Sequence, residues 1–151
     1  MKKLLFVLSC FTGLLYACTN ADKKTNESEN DVDAARNFIQ AALKWDLQQA
    51  RTFMLTDSAN EERMKVIERI RLSPEEKKGL ADASIIIKEL KRTSDTSTIV
   101  IYANSFKNNE DTLRVLKKGE QWLVDLNYLF THDSDSIWQQ APVIINDSVV
   151  K

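Results

Sequence analysis

Few residues in this chain carry side chains suited to covalent or acid–base chemistry. There are two cysteines, Cys10 and Cys18, and one histidine, His132. A histidine base needs an orienting partner and a pocket that brings substrate within hydrogen-bond reach. The run His132-Asp133-Ser134-Asp135 reads instead as an exposed turn. One histidine also falls short of the ligand sets that zinc and copper favour. Glu61-Glu62 and Glu75-Glu76 lie where helices are predicted to start, and there they offset the positive end of the helix dipole. Asp133, Asp135 and Asp147 lack the spacing of a calcium loop. That leaves Asp46 and Asp125 as carboxylates able to move a proton if either points into a pocket. The competing roles are a helix cap for Asp46 and a solvated strand position for Asp125. Trp45, Phe53, Tyr102 and Trp122 are the aromatics placed either to line an apolar pocket or to fill a core. No catalytic residue, cofactor or metal ligand is assigned.

The composition fits one folded domain. The chain has 151 residues, 43% hydrophobic and 28% charged, with only 3 Gly and 2 Pro. Its net charge is −1. A nucleic-acid binder needs a basic footprint to neutralise phosphates, so that class is excluded.

The first residues have a different character. Lys2 and Lys3 form a basic start, and residues 4–16 are mostly apolar, broken by Ser9, Thr12 and Gly13. That run is well short of the ~20 residues that span a bilayer and has the length of an export signal. It ends in Leu15-Tyr16-Ala17-Cys18. A small residue before Cys and a Leu three before it resemble the bacterial lipobox, with Tyr16 a departure at its second position. The resemblance implies cleavage after Ala17 and a lipid, palmitate among its chains, on Cys18. Each buried methylene contributes ~0.8 kcal/mol; one chain holds marginally and two or three hold stably. Cys10 is then expected to leave with the signal. If Cys18 is acylated, the mature chain has no thiol for a nucleophile, redox pair or zinc site. Loss of Lys2 and Lys3 leaves 19 of the 21 basic residues against 22 acidic ones.

Residues 19–30 (TNADKKTNESEN) are polar apart from Ala21 and cannot bury surface. They read as a tether with a typical reach of about 20 Å. The expected organisation is a signal at 1–17, a lipidated Cys18 and tether at 18–31, a domain at 32–131 and a tail at 132–151.

Within the domain, Ala35, Phe38, Ile39 and Ala42 mark one helical face, capped by Asp31 or Asp33. Asp46 with Gln49 opens a second helix at 47–55, and Ser58 with Glu61 a third at 59–71. Ser73-Pro74-Glu75-Glu76 opens a short fourth that ends between Gly79 and Asp82. Strand-like runs follow at 85–90, 98–106, 112–116 and 121–130. Their short separators, one holding Gly119, imply antiparallel neighbours. Helices first and then a four-stranded meander give an α+β fold. In the tail, Ile137-Trp138 is read as folding back on the domain and residues 143–145 as an extra edge strand.

Two segments carry a resemblance. One is Ala42-Leu43-Lys44-Trp45-Asp46-Leu47-Gln48-Gln49-Ala50; the other is the closing hairpin, Leu113 through Lys118-Gly119 to Gln121-Trp122-Leu123-Val124. Together they resemble the nuclear-transport-factor-2-like (cystatin-like) superfamily, especially its lumazine-binding-like lipoprotein domains. Trp45 stands where that pattern has Gly. The resemblance implies N-terminal helices packed on a curved four-stranded sheet that forms a cone. The superfamily includes enzymes, binding modules and assembly domains, so fold does not decide function. Asp-Ser/Thr-apolar triplets at Asp57, Asp111, Asp135 and Asp147 resemble an O-glycosylation sequence of some Bacteroidetes-type export systems; ordinary caps and turns account for them.

The expectation is a cell-envelope lipoprotein, anchored at the outer membrane through its lipid. Its domain is expected to bind a small apolar ligand or an envelope protein without catalysis. The alternatives are a small pocket enzyme using Asp46 or Asp125, and a structural lipoprotein with a filled core.

Overall fold

A computed structural model describes Ser28 and residues 30–132. The expectations for Cys18, for most of the tether and for residues 133–151 lie outside those residues. Ser28 and Asn30, read above as tether, belong to the fold. Ser28 is buried and its hydroxyl accepts from Asn37 Nδ2 at 3.3 Å.

Helix α1 (Asp31–Leu43) buries the alanine-rich stripe of Ala34, Ala35, Ala41 and Ala42 together with Phe38 and Ile39. Its cap is Asn30, whose side chain accepts from Asp33 N at 2.9 Å, not Asp31 or Asp33. Asn caps as well as Asp does, and Asp31 is used elsewhere. The helix ends in a Schellman turn: Asp46 N donates to Ala41 O at 2.9 Å and Trp45 N to Ala42 O at 3.0 Å. This geometry forces Trp45 to φ +60°. The resembled pattern has Gly at this position because only Gly adopts that conformation without strain.

Asp46 caps α2 (Leu47–Thr52) by accepting from Gln49 N at 3.0 Å. The helix stops before Leu55, because residues 53–55 leave it to pair with the sheet. In α3 (Ser58–Arg69) the cap is Asp57 rather than Ser58, accepting from Asn60 N. Helix α4 (Pro74–Ala81) has the full capping box expected of Ser73 and Glu76. Arg51 ties α2 to α3 through Glu68 at 2.8 Å and Glu61 at 3.4 Å. Those two carboxylates hold its pKa above the ordinary value.

The sheet is an antiparallel meander in the order β1 (Ile85–Ser94), β2 (Ser97–Asn104), β3 (Glu110–Lys118), β4 (Gln121–Asp125). The α+β architecture stands as expected. β1 runs past Leu90, and β3 extends beyond both ends of the expected 112–116. Val100, Leu113, Val115 and Val124 face the helices and are fully buried. The inner face continues with Tyr102 and Thr98, while Ile99, Ile101, Arg114, Leu116 and Leu123 point the other way. A register shift between Ile87 and Glu89 changes which β1 residues face inward. Gly119, at φ +62°, takes the first position of the tight β3–β4 turn.

The free side of β4 is covered. Leu55 N donates to Val124 O at 2.9 Å and Val124 N to Phe53 O at 2.8 Å, forming a short parallel bridge. That pairing blunts one sheet edge, whereas β1 presents Lys88, Lys91 and Arg92 along the other.

The strand expected at 121–130 ends at Asp125, and α5 (Leu126–His132) follows. Strand propensity gives way here to a distant cap. Asn60 Oδ1 accepts from Leu126 N at 2.6 Å and from Asn127 N at 3.2 Å. Leaving such a buried donor unmet costs ~1–3 kcal/mol. The β-propensity scale spans only ~1 kcal/mol, so the cap prevails. Leu126 and Leu129 then enter the core at helical spacing.

Candidate functional site

Asp125 ends β4 opposite Arg114 of β3, on the sheet face turned away from the helices. Arg114 donates to Asp125 Oδ2 through Nε at 3.0 Å and also through Nη2. The same guanidinium lies 4.9 Å from the Tyr128 ring centroid, and His132 stacks under that ring at 3.9 Å with planes 10° apart. Carboxylate, guanidinium, phenol and imidazole thus form one column from the strand to the end of α5. Asp125 is buried by this column rather than by an interior pocket. Its Oδ2 accepts both bonds from Arg114, which suits holding α5 to the sheet better than abstracting a proton. His132 is exposed, with Nδ1 2.7 Å from Thr131 Oγ1 and 3.2 Å from Tyr128 O. It is the last residue of a helix, not the exposed turn expected.

Asp46 is exposed and engaged as the α2 cap. Of the two carboxylates singled out by the sequence, Asp46 is exposed and Asp125 is buried on the outer sheet face. Among the described residues, two further carboxylates besides Asp125 are buried. Asp31 is 3% exposed and accepts from Thr98 Oγ1 at 2.6 Å, with Arg92 Nε 3.5 Å away. It bolts the start of α1 to β2. Asp111, also buried, faces inward from β3 directly opposite Tyr102. Nearby on the same face, buried Asn104 accepts from Phe106 N and Lys107 N.

The four aromatic candidates do not share one place. Phe53 is bonded through its backbone to β4, two residues from Trp122. Trp122 is half-buried opposite Lys117, whose Nζ lies 5.9 Å from the indole centroid. Trp45 is half-buried against the core at the α1–α2 turn. Tyr102 sits level with Asp111 on β3, six residues along that strand from Lys117. At ~3.3 Å per residue that separates it from Trp122 by about 20 Å along the strand. Phe53 and Tyr102 are buried in the common hydrophobic cluster.

Among the described residues, no group of three His, Cys, Asp or Glu side chains could hold a metal ion. Also among them, no helix is long and apolar enough to cross a membrane. Sequence reasoning missed Arg114 and Asn60, and took Asp31 for a helix cap and Asp111 for a cap or turn residue. For Arg114 a signal existed. A two-residue turn at Gly119-Glu120 fixes the hairpin register, and counting back from it sets Arg114 against Asp125.

Comparison of the chain with protein-family models, with curated proteins and with solved structures finds no match.

Proposed function

We propose that this chain is a bacterial envelope lipoprotein, held at the outer membrane through acyl chains on Cys18. Its domain is read as a nuclear-transport-factor-2-like cone that binds a partner without catalysis. The observation that carries the reading is Leu15-Tyr16-Ala17-Cys18 closing a basic-then-apolar segment, with buried Ser28 the first described residue after it. Two or more chains on one sulfur anchor a folded body stably without any spanning helix. The binding role is supported by Asp46 and Asp125 each being occupied, one by a helix start and one by Arg114. A protein or small apolar ligand of the envelope is the partner this chemistry fits.

Cys18→Ser tests the reading. Labelling with a clickable palmitate analogue is expected to be lost and the protein to leave the membrane fraction. Full labelling of the Cys18→Ser chain would overturn it.

One observation favours a second reading. Asp111 and Tyr102 lie opposite each other on the inner face, and on this second reading, a pocket enzyme, the working carboxylate is Asp111 rather than Asp46 or Asp125. Asp111→Asn would then abolish turnover while leaving the fold intact.

A further inference from the structure

The inner sheet face is apolar in its middle, at Val100, Leu113 and Val115, and polar at one end. Tyr102 and Asn104 stand two residues apart at the end of β2, and Asp111 of β3 lies level with Tyr102. All three are at most 1% exposed. Asn109, two residues before Asp111, adds a second amide. Asn104 Oδ1 is committed to the turn that follows it, accepting from Phe106 N at 3.1 Å and Lys107 N at 2.9 Å. The amide is planar, so its Nδ2 is directed away from those two N–H groups. That Nδ2 is buried and has no hydrogen-bond partner among the described residues, and the same is true of Asn109 Oδ1. Buried amide atoms of folded proteins are almost always paired, so one donor and one acceptor left over at the same end of one face point to a group that supplies both.

We propose that Asn104, Asn109 and Asp111 bind a small amino alcohol, an organic ammonium with a hydroxyl on the neighbouring carbon. Each part of that ligand answers one group of the cluster. Asp111 brings the formal negative charge, and a carboxylate accepts at several lone-pair positions, so it takes an ammonium N–H in addition to its other contacts. Asn109 Oδ1 accepts a second ammonium N–H. Asn104 Nδ2 needs an acceptor, which an ammonium lacks and the neighbouring hydroxyl supplies. A neutral diol satisfies both amides but brings no charge to the buried carboxylate. An amino acid sets its own carboxylate against Asp111. Entry is through the turn that holds Asn104. Phe106 is 43% exposed and stands on Gly79 of α4, and Lys107 Nζ lies 3.4 Å from Glu76 Oε1. Exposed contacts of this kind open locally at low cost. The proposal goes beyond the binding role read above and does not depend on a lipid at Cys18.

Ethanolamine titrated into the full chain, labelled with heavy nitrogen for NMR at neutral pH, tests the proposal. The side-chain amide peaks of Asn104 are the readout, assigned by their loss in Asn104→Asp, which keeps the oxygen that holds the turn. So small a ligand binds at about millimolar strength, and the titration extends to about 50 mM. The Asn104 peaks are expected to shift and saturate. Ethylene glycol, of the same size but uncharged, should bind at least about tenfold more weakly, because hydrogen bonds to an ionised group are about twice as strong as neutral ones. Asp111→Asn should bring ethanolamine down to the level of the diol. Peaks that do not saturate, a diol that binds as well as the amine, or unchanged ethanolamine binding in a folded Asp111→Asn chain would each overturn the proposal. If Asp111→Asn loses its peak dispersion, the comparison of amine with diol on the unaltered chain decides alone. Palmitate labelling of Cys18 is read separately, so failure of either result leaves the other standing.

Discussion

Trp45 offers a test in which the usual order of two substitutions reverses. It occupies the left-handed position of the turn that ends α1, at φ +60°. A residue with a Cβ loses ~1–2 kcal/mol in that conformation. Trp45→Ala and Trp45→Gly both remove the half-buried indole and so share that loss, about half of the ~1.5–3 kcal/mol for a fully buried large side chain. They differ in two terms. Glycine removes the left-handed strain but gives the unfolded chain extra freedom, which costs ~0.4–1 kcal/mol. The balance leaves the glycine variant more stable by about 0.5–1 kcal/mol, although glycine is elsewhere the less stable of the two. Urea unfolding of the protein, followed by far-ultraviolet circular dichroism, reads this as a shift in midpoint at constant slope. An alanine variant equal to or more stable than the glycine variant would refute the strained turn.

Other outcomes follow from the same geometry. Asn60→Ala should cost about 2–3 kcal/mol by urea unfolding, since Leu126 N loses its acceptor and α3 loses part of its cap. Arg114→Ala should cost about 2 kcal/mol. It leaves the Asp125 carboxylate, 7% exposed, without its partner, but Arg114 is itself 39% exposed and water screens part of the effect. Gly79→Ala should change stability by less than about 1 kcal/mol. The added Cβ would meet the Phe106 ring at 2.2 Å, yet that ring is 43% exposed and can swing aside, and alanine favours the helix. Asp57 is held below its ordinary 3.8, chiefly by the Asn60 N–H, and Glu76 below 4.5, chiefly by the Ser73 N–H. Groups depressed in the fold stabilise it above their unfolded values and lose that effect as pH falls through the folded ones. A urea-midpoint titration should therefore fall from about pH 4.5 downward. Asp57→Asn and Glu76→Gln should each flatten part of that fall.

Local signals were legible where both partners sit within a few residues. Ser73, Pro74 and Glu76 specify a helix start by themselves, and Asp46 caps Gln49 N three residues on. The caps of α1 and α3 each lie one residue before a position the sequence favoured. Asn30, Asp31, Asp33, Asp57 and Ser58 are all competent caps, and only packing chooses between them. Asp31 shows that choice, because Thr98, 67 residues away, draws its carboxylate inward. The largest departure is α5. Leu126, Asn127, Tyr128, Leu129 and Phe130 satisfy a strand pattern, and what makes them a helix is the hydrogen bond that Leu126 N donates to Asn60 Oδ1 across 66 residues. At the candidate site, the period-two alternation of β4 puts Asp125 on the face opposite Val124. Its capture by Arg114 depends on a hairpin register that composition and periodicity do not carry.

The account rests on a lipid at Cys18, and the mass of the native mature protein tests it most directly. Protein extracted from membranes, digested, and read at its N-terminal peptide should begin at Cys18 and carry the added mass of at least two acyl chains on a glyceryl thioether. A peptide beginning at Met1, or one beginning at Cys18 with an unmodified thiol, would contradict it.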